Sequence, residues 1–286
     1  PGKNINNALH GDKVSVRAEK SRFQRGKLEG RVLAVLERAN QRVVGRLQQN
    51  RRGAILVPEE LRLSTFFTIP ANGLNGAVDG QQVVIEVTAW PTGNRPPEGK
   101  VLEILGWPDD PDVEVQTVIR KFDLPHHFDE DTLHEAEAAP AQISKDDLKG
   151  RVDLRKLPTV TIDGETAKDF DDAVSIKQEG AQFRLWVSIA DVSHYVHPGS
   201  SLDREAYLRG TSVYFPDRCL PMLPERLSNG ICSLNPRVDR LTMTAELLFD
   251  THGALQESSF YPSVIRSAAR LTYTTVKQVI VDGDEK

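Results

Sequence analysis

Four aspartates lie within ten residues of one another: Asp163, Asp169, Asp171 and Asp172. Carboxylates packed this closely repel, so folding without a counter-ion raises their pKa values and costs stability. A bound divalent cation removes that cost, and hard oxygen ligands favour Mg²⁺, Mn²⁺ or Ca²⁺. The EF-hand pattern fails, because no glycine stands at its sixth position and no glutamate at its twelfth. A Mg²⁺ site open to a phosphate substrate fits better, with carboxylates on one side and waters and substrate oxygens on the other. On spacing alone, a solvated acidic turn accounts for the cluster equally well. Phe170 inside the cluster and the apolar runs that abut it favour a rigidly placed loop.

Those runs are the elements that must position the carboxylates. Thr159 to Ile162 and Ala173 to Ile176 are β-prone and flank a polar loop containing Gly164, which reads as strand, loop and strand. Downstream, Phe183 to Ala190 alternates as a buried strand, and Ser200 with Asp203 resembles a capping box for a helix to about Arg209. Val213 to Phe215 is a short extended run, and Pro224 to Leu234 reads as a helix. Thr242 to Phe249 and Leu255 to Ser267 read as paired strands about a turn at Thr251-His252-Gly253; Leu271 to Val281 opens a further element. His194, His197, Cys219 and Cys232 lack the paired spacing of a zinc site. No nucleophile elbow surrounds Ser193, so His194 reads as a structural or substrate-side polar group.

The first third of the chain repeats itself. Gly11-Asp12-Lys13-Val14-Ser15-Val16-Arg17 matches Gly80-Gln81-Gln82-Val83-Val84-Ile85-Glu86, and Gly30 to Leu36 matches Gly99 to Leu105, both at a period of 69 residues. Two copies of one small β module are implied, of a size and composition that suit a barrel of the OB type. Val43 to Pro58 belongs to the second copy, and its counterpart in the first would precede residue 1, so the first barrel is expected to be incomplete. Such barrels bind single strands through basic grooves and aromatic stacking, here through Phe23, Phe66, Phe67 and Trp90; a purely structural scaffold is the alternative. Val113 to Lys121 reads as a helix with acidic caps, and Asp129 to Ala138 as an acidic helical patch within a connector.

Hydrophobic content of 39% and charged content of 27% over 286 residues describe a soluble globular protein, and no run approaches a membrane span. Two cysteines give no disulfide framework and suit a reducing compartment. The net charge of −5 conceals an asymmetry: residues 1–52 carry 13 Lys/Arg against 4 Asp/Glu, the remainder 23 against 37. A basic amino-terminal part is what attraction to phosphate requires, although a solvated basic face has the same composition.

Asp163 to Val174, read D-G-E-T-A-K-D-F-D-D-A-V, resembles the active-site signature of the ribonuclease II/ribonuclease R (RNB) family of 3′-to-5′ exoribonucleases. The likeness continues through Ile189-Ala190-Asp191-Val192-Ser193-His194-Tyr195-Val196, Arg209 to Pro216, Leu223 to Ser228 and Cys232-Ser233-Leu234-Asn235-Pro236. Its Ala-Asp-Val-Ser-His form is similar to the ribonuclease R branch. The resemblance implies an α+β chain of tandem OB-type (cold-shock) barrels followed by the amino-terminal half of an RNB catalytic domain. Residues 1–40 would end a first barrel, 41–107 form a second, 108–150 a helical acidic connector and 151–286 the catalytic half-domain.

It further implies processive, sequence-independent hydrolysis of single-stranded RNA from its 3′ end to nucleoside 5′-monophosphates, by a cytoplasmic protein that is monomeric when complete. Asp163 and Asp172 would hold Mg²⁺, or Mn²⁺, on the scissile phosphate. Asp171 would be indispensable, positioning a second metal or the attacking water, with Asp169 in support; the two ions would stand about 4 Å apart. Tyr214 would stack on the 3′-terminal bases and set the length of the end product, and Tyr273 would be a second RNA-facing tyrosine. The family's Ser-Pro-Ile-Arg-Arg-Tyr-like segment, second stacking phenylalanine, catalytic arginine and S1 domain have no counterpart here. The expectation is therefore a piece lacking both ends, which alone binds RNA weakly and does not degrade it. The alternative is a non-catalytic RNA-binding or regulatory protein with a relic site, against which the complete set of four aspartates argues.

Overall fold

The 69-residue repeat is a repeat of strand register. In the computed structural model, which describes residues 4–20, 28–50 and 53–283, β1 (Lys13–Lys20) and β2 (Leu28–Glu37) form an antiparallel pair. They are followed by β3 (Arg42–Asn50), β4 (Gly53–Pro58), β5 (Phe67–Ile69), β6 (Gln82–Ala89) and β7 (Glu98–Gly106). Lys13 faces Glu37 as Gln82 faces Gly106, and Val16 faces Val32 as Ile85 faces Val101. The irregularities after Lys13 and Ser15 reappear after Gln82 and Val84. The repeated glycines have separate reasons. Gly11 and Gly80 take φ of 86° and 89°, a left-handed backbone that a Cβ disfavours. A Cβ on Gly30 would stand 2.9 Å from Val16 Cγ1, and one on Gly99 2.6 Å from Ile85 Cδ1, the equivalent partner.

Strands β3-β4-β5-β7-β6 close into a barrel, while β1 and β2 form a two-stranded sheet. Val43, Leu47, Leu56, Phe67, Val83, Ile85 and Val101 fill the barrel core. Phe67 is fully buried there and offers no stacking face, whereas Phe66 is exposed and the Arg38 guanidinium lies 4.8 Å above the Trp90 ring. Phe23 lies outside the described residues. Helix α1 (Pro111–Lys121) starts two residues earlier than the sequence suggests: Asp110 accepts from the Asp112 amide, and Pro111 presets the first helical φ. These elements belong to a unit spanning Pro1–Pro125, and a second unit spans His126–Lys286.

The second unit begins with α2 (Glu130–Ala138), capped by Asp129. It continues with β8 (Val152–Asp153), β9 (Val160–Asp163), β10 (Asp172–Glu179), β11 (Gln182–Ala190), α3 (Ser201–Arg209) and the hairpin β12 (Val213–Tyr214) and β13 (Cys219–Leu220). It ends with β14 (Asp239–Phe249), β15 (Leu255–Arg266), β16 (Ala269–Thr272) and α4 (Tyr273–Ile280). One mixed sheet has the order β16-β9-β10-β11-β14-β15-β8. Ala173, Ala190 and Ile265 on one face pack with Ala136 of α2, Leu202 of α3 and Phe170, Leu227 and Leu234. That face also buries a row of hydroxyls that satisfy one another, Ser188 with Thr244 at 2.7 Å and Ser263 with Thr242 and Thr244 at 2.6 Å each. The opposite face shows Ile176, Ile189, Met243 and Phe260 to solvent.

Two local expectations change. The helix expected over Pro224 to Leu234 is a π-helical stretch, Arg226–Ile231, closed by the Cys232 amide on the Leu227 carbonyl at 2.9 Å. Ser228-Asn229-Gly230 is a weak helix-forming run, and the wider turn lets Ser233 reach the acidic loop. The element opened at Leu271 divides at Thr272, whose hydroxyl caps α4 by accepting from the Thr275 amide. Among the described residues no helix is long and apolar enough to cross a membrane.

Candidate active site

The acidic loop is anchored at both ends by the sheet and in its middle by a serine from far along the chain. Asp163 ends β9 and Asp172 begins β10, where it faces Ile189 of β11. Between them, the buried Ser233 hydroxyl accepts from the Phe170 amide at 3.0 Å and donates to the Lys168 carbonyl at 2.9 Å. The Leu234 amide donates to the Phe170 carbonyl at 2.9 Å, and the Ala190 amide to the Asp171 carbonyl at 2.9 Å. The Cys232 to Pro236 motif thus supplies the clamp that fixes the backbone on which Asp169 and Asp171 sit.

Four like charges leave their mark on the site. Asp171 is held above the usual carboxylate range by burial, then by the charges of Asp169, Asp172 and Asp163. Asp163 is raised by burial and by Asp172 and Asp169, with Arg270 opposing. One Asp163 carboxylate oxygen, Oδ2, is buried with no hydrogen-bond partner. Among the described residues no three His, Cys, Asp or Glu side chains converge as a ready-made cage. Mg²⁺ does not require one: it is ordinarily held by one or two carboxylates, with waters and phosphate oxygens completing its shell. An orphaned buried carboxylate oxygen among mutually repelling carboxylates fits such an open site.

Sequence reasoning missed Arg270. In β16, parallel to β9, it donates through Nη2 to the carbonyls of Gly164 at 2.9 Å and Glu165 at 2.5 Å, and its guanidinium lies 5.1 Å from the Phe170 ring centre. It ties down the start of the acidic loop while tempering the charge on Asp163. The available signal was a lone arginine between Ala269 and Leu271 in a strand-like run.

A cleft of about 610 Å³ opens beside the loop, lined by Lys168, Asp169, Tyr214, Phe215, Arg218 and Asn229 among others. Tyr214, on the β12–β13 hairpin, is 64% exposed, so its ring is not part of the core, and its hydroxyl donates to Asp169 Oδ2. Burial, then the hydrogen bond and charge of Asp169, push the phenol well above its ordinary range. Tyr273 is 65% exposed at the start of α4, next to Thr272, which pairs with Asp163. The Asp191 motif lies behind the loop rather than in it. Asp191 receives Arg151 Nη2 at 2.5 Å and the Ser193 hydroxyl at 2.8 Å; these bonds lower its pKa although burial opposes them. His194 Nε2 lies 3.3 Å from Asp147, which makes it a structural partner.

Residues 151–286 match the model of the RNB domain, and residues 55–129 that of a cold shock domain. A ribonuclease R of Thermotoga maritima is 46% identical over 278 residues, covering 96% of this chain and 39% of that protein. The structure of Mycoplasma genitalium RNase R in complex with ribose-methylated single-stranded RNA superimposes with a TM-score of 0.90 at 28% identity, over 99% of this chain and 45% of the other. Yeast Ssd1, a pseudonuclease, shares the fold at a TM-score of 0.73 and 19% identity, over 98% of this chain and 36% of its own. The chain therefore spans less than half the length of each of these relatives. Resembling ribonuclease R along nearly its whole length and carrying a cold-shock domain before an RNB domain, the chain belongs to the ribonuclease II/ribonuclease R (RNB) family, on its ribonuclease R branch.

Proposed function

We propose that the chain carries the carboxylate half of a Mg²⁺-dependent 3′-to-5′ exoribonuclease that shortens single-stranded RNA to nucleoside 5′-monophosphates. The observation that carries this reading is the clamped loop: four neighbouring aspartates, of which Asp163 and Asp171 are raised by burial and by the charges of the others, one buried Asp163 oxygen without a partner, and an open cleft beside them. Mg²⁺ (or Mn²⁺), when bound, would neutralise charge on the scissile phosphate and provide hydroxide at neutral pH. Asp163 and Asp172, at the two strand ends, are the residues that would hold it. Asp171, fixed through its carbonyl by the Ala190 amide, would orient the attacking water, with Asp169 in support. The exposed rings of Tyr214 and Tyr273 would receive the terminal bases; stacking tolerates any base, in keeping with degradation independent of sequence. The RNA complex of the Mycoplasma relative supports RNA as the substrate class. The same reading has the protein act as a monomer in the cytoplasm, in keeping with its two free cysteines.

The fold shared with a pseudonuclease favours a second reading, an RNA-binding protein without turnover. One experiment separates the two. The protein expressed from its whole gene is incubated with a 3′-tailed RNA, with and without Mg²⁺, beside its Asp171→Asn variant. Mg²⁺-dependent shortening that the variant loses, with RNA affinity nearly intact, is the expected result. Substantial hydrolysis by Asp171→Asn would overturn the role given to Asp171, and RNA binding without any shortening would establish the second reading.

A further inference from the structure

We infer that Tyr214 is a positioning residue, a latch whose hydroxyl holds Asp169 apart from the other carboxylates until a divalent cation draws it in. The inference rests on the metal site proposed above, and it concerns the hydroxyl of Tyr214, not its ring. Three observations meet here. The Tyr214 hydroxyl donates to Asp169 Oδ2 across 45 residues of sequence. The charges of Asp169, Asp172 and Asp163 all act on Asp171, so the four carboxylates are neighbours; nevertheless no three of them converge. The backbone on either side of Asp169 is pinned by Ser233, through the Lys168 carbonyl and the Phe170 amide. With the backbone fixed, rotation of the Asp169 side chain is the motion left to carry it between the phenol and the cluster. A carboxylate oxygen that accepts from a phenol is a poorer ligand, so cation and phenol compete for it.

The hairpin that carries Tyr214 is built to respond. Its ladder has only two residue pairs, Val213 with Leu220 and Tyr214 with Cys219, supplemented by the Phe215 amide on the Arg218 carbonyl at 2.8 Å. The Tyr214 ring is 64% exposed, and the bond of its hydroxyl to Asp169 helps to hold it over the cleft. Binding of the cation then frees the ring as it completes the carboxylate set, which couples the platform for the terminal base to the state of the metal site.

The test uses the 286-residue chain and Mn²⁺ alone, followed by the electron paramagnetic resonance of the free ion. Tyr214→Phe keeps the ring and deletes the latch, and its Mn²⁺ dissociation constant should fall about three- to tenfold, the worth of one net hydrogen bond. Tyr207→Phe, a control at an exposed tyrosine of α3, should match the unaltered chain. On an Asp169→Asn background, Tyr214→Phe should change nothing. Hydrogen exchange across residues 213–220 should quicken with Mg²⁺ in the unaltered chain and be fast with or without it in Tyr214→Phe. Equal or weaker Mn²⁺ binding by Tyr214→Phe, with binding by the unaltered chain intact, would overturn the latch alone. No Mn²⁺ binding by the unaltered chain would overturn the metal site and the latch with it.

Discussion

Removing one buried oxygen should loosen the whole acidic loop. Ser233 is fully buried and its hydroxyl makes two bonds, from the Phe170 amide at 3.0 Å and to the Lys168 carbonyl at 2.9 Å. Ser233→Ala deletes both and strands a buried amide. Each net hydrogen bond is worth about 0.5–1.5 kcal/mol, and a stranded buried donor costs about 1–3 kcal/mol, so the loss should be about 2–4 kcal/mol. The unit from His126 to Lys286 is of a size at which each kcal/mol moves Tm by about 2–4 °C, which places the shift at about 5–15 °C. Ser188→Ala is the matched control, because it removes one bond, to Thr244, and Thr244 keeps Ser263 as a partner. It should cost about 1 kcal/mol. Circular dichroism melts give the stability difference, and Mn²⁺ titration gives the consequence for the site, since Ser233, unlike Ser188, holds the backbone beside Asp169 and Asp171. If Ser233→Ala melts with Ser188→Ala and binds Mn²⁺ as tightly as the unaltered chain, the clamp is not what positions the carboxylates.

Stabilisation by Mg²⁺ should grow with pH. The folded pKa values of Asp163 and Asp171 are raised, so the metal-free fold loses stability as pH rises through them, and the cation removes that loss by binding the ionised forms. The rise in Tm on adding Mg²⁺ should be small near pH 4 and larger at pH 7; equal increments would refute the electrostatic account. Asp191 titrates the other way: its folded pKa is lowered, so its contribution is present above the ordinary carboxylate value and is lost as pH falls through the folded value. Asp191→Asn leaves Arg151 buried without its counter-charge and should cost about 3–5 kcal/mol at neutral pH. Urea melts at pH 6 and pH 3 should show that deficit shrinking in acid, and a constant deficit would mean that the pair does not act through charge. Tyr214→Ala, in the protein from its whole gene, should lose about 1–3 kcal/mol of grip on the terminal base and change the length of the final oligonucleotide. An unchanged product ladder on a sequencing gel would remove Tyr214 from the substrate path.

The sequence alone determined what depends on near neighbours in the chain. Strand, loop and strand around the aspartates, the Ser200 cap of α3 and the acidic start of α1 were legible because caps and alternation act over a few residues. The repeat of Gly11 to Leu36 in Gly80 to Leu105 carried even the pairing register and its irregularities, since both copies must meet the same twist and the same close glycine contacts. Alternation sends Phe66 and Phe67 to opposite sides of the barrel wall, but only barrel closure decided that Phe67 faces the core. The site was half legible in the same way. Its four carboxylates lie within one loop, whereas its supports come from far away: Ser233 at 63 residues from Phe170, Arg270 at 106 from Gly164, Tyr214 at 45 from Asp169. Which of these side chains meet is set by the sheet order, with β16 laid beside β9, and by the π-helical stretch that delivers Ser233. Neither leaves a local pattern in the residues that make the contacts, so only the folded chain decided that the acidic loop would be clamped, tempered and latched.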